Sequence, residues 1–279
     1  MNAYSSLPGT AMHDGVGSFL DLKDKVVLVT GAASGLGAAC ARLFGEMGCH
    51  VICADVSQQL EAYVDDLRVA GLRVTECRLD VCQPEQWARA RHLVAETFGQ
   101  LHVLVNNAGI IVRTGIADTS LEAWRRVLDV NVTGAFLGIQ TMAPLMPDSA
   151  GAAIVNVSST AGLIAHKDVS YTTSKWALRG LTKSASLDLV ARGIRVNSVH
   201  PATISTALTD AAPPGHVEAN RHAIPMGREA SAREIAQIVV FLASSQSSFM
   251  TGAEIAADGG LTSSGVPWMR AAYQRTVAI

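Results

Sequence analysis

Apolar residues in this chain fall into short continuous runs separated by longer stretches of helical periodicity. Val26, Val27, Leu28 and Val29 make the first run, within residues 25–30. Similar runs recur at 50–54, 73–79, 101–105, 152–157, 194–199 and about 253–257. Runs this short, bounded by Gly, Pro, Asn or Asp, predict buried strands. Helical patterns follow Gly37 and cover 84–98, 118–146, 170–192 and 231–245. Pro84 falls near a first helical turn, where a missing N–H costs nothing. Strands alternating with helices imply a doubly wound parallel sheet with helices on both faces. One α/β domain is expected over 21–265, with a mobile leader at 1–20 and a C-terminal tail at 266–279. The stretch 202–229 is irregular, with Pro213, Pro214, Gly215, Pro225 and Gly227, and reads as a substrate lid. Helix 170–192 has apolar residues on more than one face (Trp176, Leu178, Leu181, Leu187, Leu189), so one side is expected on the sheet and the other on a second subunit.

Composition narrows the class. The 279 residues are 49% hydrophobic, enough for a large core, with a formal net charge of -2. That balance offers nothing to nucleic acid. No apolar run reaches the roughly 18 residues that a membrane-spanning helix needs. The N-terminus has Asp14 and lacks a basic start before an apolar core, so it is not a secretory signal and a cytoplasmic location is expected. The five cysteines (Cys40, Cys49, Cys53, Cys77, Cys82) form no C-x-x-C and read as reduced core residues. The eight histidines show no ligand spacing, and no metal is expected in the mechanism.

The candidate chemistry lies where predicted strands end. Gly31-Ala32-Ala33-Ser34-Gly35-Leu36-Gly37 joins the first strand to a helix. Glycines let a backbone turn tightly against a pyrophosphate, and the helix N-terminus offers free N–H groups. The spacing is G-x-x-x-G-x-G, and alone it is also compatible with a plain tight turn. Asp55 ends the second strand, 18 residues after Gly37. A carboxylate there accepts from the ribose hydroxyls of adenosine and repels a 2′-phosphate; alternatively it caps the next helix. Asn106-Asn107-Ala108-Gly109 ends the fourth strand, on the edge where such sheets bind ligands. Tyr171 and Lys175, four apart, share one helix face. An exposed pair would be inert, but a neighbouring ammonium favours the phenolate, and a phenol so tuned exchanges protons near neutral pH.

Together these residues carry a resemblance. T-G-A-A-S-G-L-G at 30–37, Asp55, N-N-A-G at 106–109, Asn131, Ser159 and Y-T-T-S-K at 171–175 resemble the short-chain dehydrogenase/reductase family over about residues 22–262. The segments S-Y-T-T-S-K-W-A-L-R-G-L, R-V-N-S-V-H-P and T-G-A-E-I-A-A-D-G-G are similar to bacterial hydroxysteroid dehydrogenases of the 3α/20β type. The resemblance implies a Rossmann-like fold, a homotetramer and a tetrad. Tyr171 would be the acid/base, and Lys175 would lower its pKa and hold the nicotinamide ribose. Ser159 would bind the substrate oxygen, and Asn131 would hold a proton-relaying water. Gly31, Ser34, Gly35, Leu36 and Gly37 would cradle the cofactor, with Asp55 on the adenine ribose. Asp80, Val81, Asn107, Ala108 and Gly109 would line the adenosine side, and Pro201, Ile204 and Thr206 the nicotinamide end.

Two departures stand out. Ser158 lies at the family's usual distance of 13 before Tyr171, and Ser159 at 12; Ser159 is preferred because T-A-G-L follows it. That places the lost residue in loop 163–170, where His166 could reach the substrate. Ala202 stands where the family often has glycine. The expected activity is NAD(H)-dependent interconversion of a secondary alcohol and a ketone. The apolar lid residues Ile204, Ala207, Leu208, Ala211, Ala212 and Ile224 favour an apolar or cyclic substrate. An NADP-dependent 3-ketoacyl-type reductase remains an alternative, as does a non-catalytic dinucleotide sensor or scaffold.

Overall fold

The computed structural model describes residues 20–148, 151–206, 209, 212 and 215–277. Nearly all of the expected leader, and Ala207, Leu208, Ala211, Pro213 and Pro214 of the expected lid, lie outside the described residues. Seven strands form one parallel sheet: β1 (Val26–Thr30), β2 (His50–Asp55), β3 (Val74–Arg78), β4 (Val103–Asn106), β5 (Ala153–Val157), β6 (Arg195–Pro201) and a last strand at Glu254–Ala257. The order, starting from one edge, is β3-β2-β1-β4-β5-β6 and then that last strand. Each predicted run is a strand, within a residue or two of its expected ends.

The register explains why these strands read as unbroken apolar runs. Val27, Leu28 and Val29 pair with Val51, Ile52 and Cys53 on one side and with Val103, Leu104 and Val105 on the other. Side chains alternate between faces, and both faces are covered. Val27, Val29, Val103 and Val105 join the core on one face; Leu28, Ile52 and Leu104 join the core on the other.

Helices α1 (Gly35–Glu46) and α2 (Leu60–Val69) supply Phe44, Val64 and Leu67 to the first core. The second core takes Trp87 from α3 (Pro84–Phe98), whose indole N–H donates to the Val81 carbonyl at 2.9 Å. Each such fully buried apolar side chain contributes about 1.5–3 kcal/mol.

The expected helix 118–146 is interrupted. It runs as α4 (Leu121–Leu128), a π-helical turn at Asp129–Thr133 and α5 (Gly134–Met142). The expected helix 170–192 is α6 (Val169–Leu189) with a 3₁₀ turn after it. Leu178 and Leu189 of α6 are buried, while Trp176 and Leu187 on its other side are exposed.

The expected lid is less irregular than its composition suggests. Ile204–Ser205 (β7) pairs in parallel with Ala230–Ser231 (β8), and α7 (His216–Ala223) lies between them. Helix α8 (Ala232–Ala243) starts with a Ser231/Glu234 capping box and packs on the α1 face, and the last sheet strand, Glu254–Ala257, is β9. Residues 266–277, set apart above within a tail, belong to α9 (Leu261–Val277), which is kinked at Gly265 and has Pro267 inside. The Trp268 indole donates to the His222 carbonyl on α7 at 3.2 Å. The five cysteines are free thiols, four of them buried. No described helix is long and apolar enough to cross a membrane.

Candidate active site

The chain leaves β1, builds β2 and β3 to one side, and returns to β4 on the other. A parallel sheet opens a crevice at such a reversal, beyond the carboxyl ends of its strands. The glycine turn after β1 and Asn107 after β4 face each other across it.

Thr30 and Asn107 tie the two strand ends together. The Thr30 hydroxyl accepts from the N–H groups of Asn107 (3.0 Å) and Ala108 (3.1 Å). The Asn107 amide donates to the carbonyls of Thr30 (2.9 Å) and Gly31 (3.3 Å). Gly31 has φ +67°, a left-handed conformation that costs other residues energy. At Gly37 a side chain would overlap the Gly31 carbonyl and approach the Asn107 amide to 2.5 Å. Glycine is therefore required where α1 meets the turn. The first i→i−4 bond of α1 is Ala38 N–H to the Ser34 carbonyl, at 3.1 Å. The N–H groups of Gly35, Leu36 and Gly37 precede it and have no acceptor within the helix. The Leu36 side chain points into the core, so only its backbone serves the crevice. This cradle fits a dinucleotide pyrophosphate in both shape and donor set.

Asp55 closes the crevice on the β2 side. Its carboxylate accepts from Ala33 N–H (2.9 Å) and Ser57 N–H (2.8 Å), which fixes it against the glycine turn. Arg78 pairs with Asp55 in the sheet register and donates to the Ser57 carbonyl at 2.7 Å. Asp80 accepts from Cys82 N–H at 3.0 Å, and Val81 packs against the Cα of Gly134, both just beyond the end of β3. Pro201 ends β6, Ile204 lies in β7, and Thr206 sits opposite Gly35, so the expected nicotinamide-end residues border the same crevice.

Four expected catalytic residues meet near β5. Asp168 caps α6, accepting from Tyr171 N–H at 2.9 Å and the Ser170 hydroxyl at 2.8 Å. Its other oxygen accepts from Val112 N–H (3.0 Å) and Arg113 N–H (2.5 Å), pinning the loop after β4 to the start of α6. Arg113 is held at φ +60°, a costly conformation for a residue with a side chain. Burial pushes the Asp168 carboxyl up, but these four hydrogen bonds outweigh it and hold the group below the usual range.

Ser159 and Ser158 diverge. The Ser159 hydroxyl accepts from Ala161 N–H at 3.1 Å and favours the Tyr171 phenolate. The Ser158 hydroxyl is buried and donates to the Lys175 carbonyl at 3.2 Å. The His166 ring meets the Tyr171 ring edge-on at 6.0 Å between centroids.

Lys175 requires a correction. It was expected to lower the Tyr171 pKa, yet the Tyr171 phenol lies above its ordinary value. Burial of the phenol dominates; the Ser159 hydroxyl pulls the other way, Asp168 adds to the rise and Arg113 opposes it. The Lys175 ammonium lies 5.4 Å from the Tyr171 ring centroid and donates to the Val157 carbonyl at 2.9 Å. Burial lowers its own pKa from 10.5 to about 8. No contribution from Lys175 offsets the desolvation of the phenol.

Asn131 sits in the π-helical turn, and both polar atoms of its side chain are engaged. Its carbonyl oxygen accepts from Ile110 N–H (2.8 Å), while its amide donates to the Ile110 carbonyl (3.0 Å) and the Ser174 hydroxyl (2.9 Å). A water at this position could use only its backbone carbonyl or the remaining lone pair of its side-chain oxygen. Gly109 lies between Asn131 and Lys175: a side chain there would meet Asn131 Oδ1 at 3.3 Å and Lys175 Nζ at 3.5 Å.

Two residues here went unremarked in the sequence. Asp168, three before Tyr171, matches the ordinary helix-cap pattern and was detectable. His200 on β6, hydrogen-bonded to the Ser159 carbonyl at 3.1 Å, had no local signal.

A doubly wound parallel sheet with a glycine cradle at its reversal and a Ser/Tyr/Lys cluster beyond β5 defines a dinucleotide-binding oxidoreductase. The family profile described as enoyl-(acyl carrier protein) reductase matches residues 31–262. The chain belongs to the short-chain dehydrogenase/reductase family, whose members use a nicotinamide dinucleotide. It is 39% identical to a trans-4-hydroxycyclohexanecarboxylate dehydrogenase of Sinomonas cyclohexanicum, over 86% of this chain and 93% of that one. It is 42% identical to a 3-alpha-(or 20-beta)-hydroxysteroid dehydrogenase of Mycobacterium bovis, over 85% of this chain and 88% of that one. Among solved structures, a dehydrogenase/reductase from Sinorhizobium meliloti 1021 superposes with a TM-score of 0.82 at 33% identity, covering 86% of this chain and 96% of that one.

Proposed function

We propose that this protein interconverts a secondary, apolar or cyclic alcohol and its ketone with NAD(H), using Tyr171 as the acid/base. The observation carrying this reading is the buried Lys175 ammonium 5.4 Å from the Tyr171 ring centroid, beside the Ser159 hydroxyl that favours the Tyr171 phenolate and next to the glycine cradle. A nicotinamide held in this crevice would supply the hydride chemistry. Ser159 and Tyr171 hold the substrate oxygen between two hydroxyls. In reduction Tyr171 gives that oxygen its proton, a task suited to a phenol kept protonated by burial. In oxidation Tyr171 must first lose its proton, and its phenolate then takes the alcohol proton, with Lys175 balancing the charge. Both relatives named above carry dehydrogenase titles with cyclic substrates, which supports a ring-bearing alcohol.

Gly31, Ser34, Gly35, Leu36 and Gly37 would hold the pyrophosphate, and Asp55 the adenine ribose. The Asp55 carboxylate, fixed by Ala33 and Ser57, would meet a 2′-phosphate with like charge, which supports NAD(H). One observation favours the NADP(H) reading: Arg78 lies beside Asp55 at the same rim.

The test is Tyr171→Phe, assayed for NAD⁺ reduction with a panel of cyclic, aromatic and steroid secondary alcohols. Turnover should fall at least about 10²-fold, the usual loss with a general acid–base, while NADH still binds. Near-normal turnover in the variant, or no turnover by the native protein with any alcohol and either cofactor, refutes the reading.

A further inference from the structure

His200 is fully buried on β6, directly beneath the turn that carries Ser159. Its Nδ1 lies 3.1 Å from the Ser159 carbonyl oxygen, and its Nε2 lies 2.9 Å from the Ser198 hydroxyl. A carbonyl oxygen only accepts, so Nδ1 carries the proton. Nε2 of the neutral ring then accepts from the Ser198 hydroxyl. Burial holds His200 below its ordinary pKa. The charged groups around it are Glu254 on β9, which favours its cation, and Arg179 and Lys175 on α6, which oppose it. The imidazole is therefore a neutral, single-tautomer donor.

The far end of the same turn is also held. Arg179 donates to the Gly162 carbonyl at 2.8 Å and grips Glu254 through two bonds of 2.9 and 3.0 Å. The 3₁₀ turn at Thr160–Gly162, with Ser159 as its cap, is thus anchored from β6 at one end and from α6 and β9 at the other. Backbone rotation at Ser159 would swing its hydroxyl away from Tyr171, and the bond to His200 resists that rotation.

We infer that His200 is a positioning residue: its Nδ1–H fixes the Ser159 carbonyl and thereby aims the Ser159 hydroxyl at Tyr171 and at the substrate oxygen. The kinetic part of this inference rests on the dehydrogenase reading; its effect on Tyr171 does not. The Ser159 hydroxyl favours the Tyr171 phenolate, so releasing it raises the phenol pKa. His200→Leu removes the donor. His200→Asn keeps an N–H donor near the Nδ1 position and guards against a folding artefact.

The experiment has two arms. In the first, Tyr171 is titrated by ultraviolet difference spectroscopy against Tyr171→Phe. His200→Leu should raise its pKa, His200→Asn should leave it near the native value, and His200→Leu should add nothing in a Ser159→Ala background. In the second, kcat for alcohol oxidation should fall about tenfold or more in His200→Leu with NADH affinity within about twofold of native, recovering in His200→Asn. Residues acting as one unit are non-additive, so His200→Leu should cost little further in Ser159→Ala. An unchanged Tyr171 titration in His200→Leu overturns the inference even if no alcohol substrate is found. An equal loss of kcat with and without Ser159, or no recovery with Asn, overturns it as well. Silence of the native enzyme toward all alcohols, with the Tyr171 shifts present, would refute the dehydrogenase reading alone.

Discussion

Lys175→Met should make this protein more stable at neutral pH while removing Lys175 from the active site. Lys175 is buried, with its pKa lowered from 10.5 to about 8 by desolvation of the ammonium. In the unfolded chain the amine recovers its ordinary, higher value. The unfolded state therefore binds the proton more tightly, and native stability falls as pH drops through that interval. The difference between 10.5 and about 8 amounts to about 3 kcal/mol of destabilisation once the pH is well below 8. Methionine has similar length and carries no charge. It would leave the Val157 carbonyl without its 2.9 Å donor, a loss of about 1–3 kcal/mol. At pH 7 the two effects leave a net gain of up to about 2 kcal/mol. At pH 10 most of the desolvation cost is gone from the native protein, so the variant should be the less stable one. The difference between the two proteins should swing by about 2–3 kcal/mol from pH 7 to pH 10. Urea unfolding without added dinucleotide, at several pH values, measures it, and other titrating groups cancel. A difference flat within about 1 kcal/mol would show that Lys175 keeps an ordinary pKa, and the burial argument would fail.

The glycine cradle gives a second expectation. Gly37→Ala places a methyl group on the Gly31 carbonyl and should weaken NADH binding at least tenfold by fluorescence titration, at a folding cost of about 1–3 kcal/mol. Native NADH affinity in that variant would remove the cradle from the cofactor site. For cofactor choice, Asp55→Ala should reduce or abolish a native kcat/KM preference for NAD(H), and better native turnover with NADPH would assign the rim to Arg78 instead. For assembly, Trp176 and Leu187 on the outer side of α6, with Phe136 on α5, are large exposed apolar groups that a second copy would cover. Light scattering should give a tetramer, and Leu187→Glu should lower the assembly state; a native monomer at micromolar concentration would contradict this.

How much of this was legible in the sequence depended on the range of the interaction. The strands were legible because a sheet covered on both faces demands continuous apolar runs, as at Val26–Thr30. The interruption at Asp129–Thr133 was not, because apolar periodicity is nearly the same through a π-helical turn. What accompanies that turn is a contact far along the chain, Asn131 to the backbone of Ile110. Helix α7 was hidden inside the irregular 202–229 stretch, where short, polar segments follow Pro213 and Pro214. The error on Tyr171 has the same origin. Four-residue spacing correctly put Lys175 on the face of Tyr171, but the acceptor for its ammonium is Val157 on β5. Burial is the largest cause of both pKa shifts, and neither it nor that contact is written in the spacing.

The buried polar residues explain why the site's chemistry and its choice of substrate reside in different parts of the fold. Asp168, Asn131, Thr30 and His200 are each buried, and each fixes a backbone segment that another element brings to the crevice. Asp168 holds Val112 and Arg113, Asn131 holds Ile110, Thr30 holds Asn107 and Ala108, and His200 holds Ser159. These bonds join strand ends and helix starts, the rigid part of the architecture, so the hydroxyls of Ser159 and Tyr171 are set by the sheet itself. We expect the choice of substrate to fall instead to the segment between β7 and β8, whose described residues supply none of these anchors; Met226 there stands largely in solvent. Substitutions in that segment should leave the four anchors in place. Relatives with the same anchors can therefore share one reaction and differ in the ring they accept, which is why the reaction class follows from the site while the substrate does not.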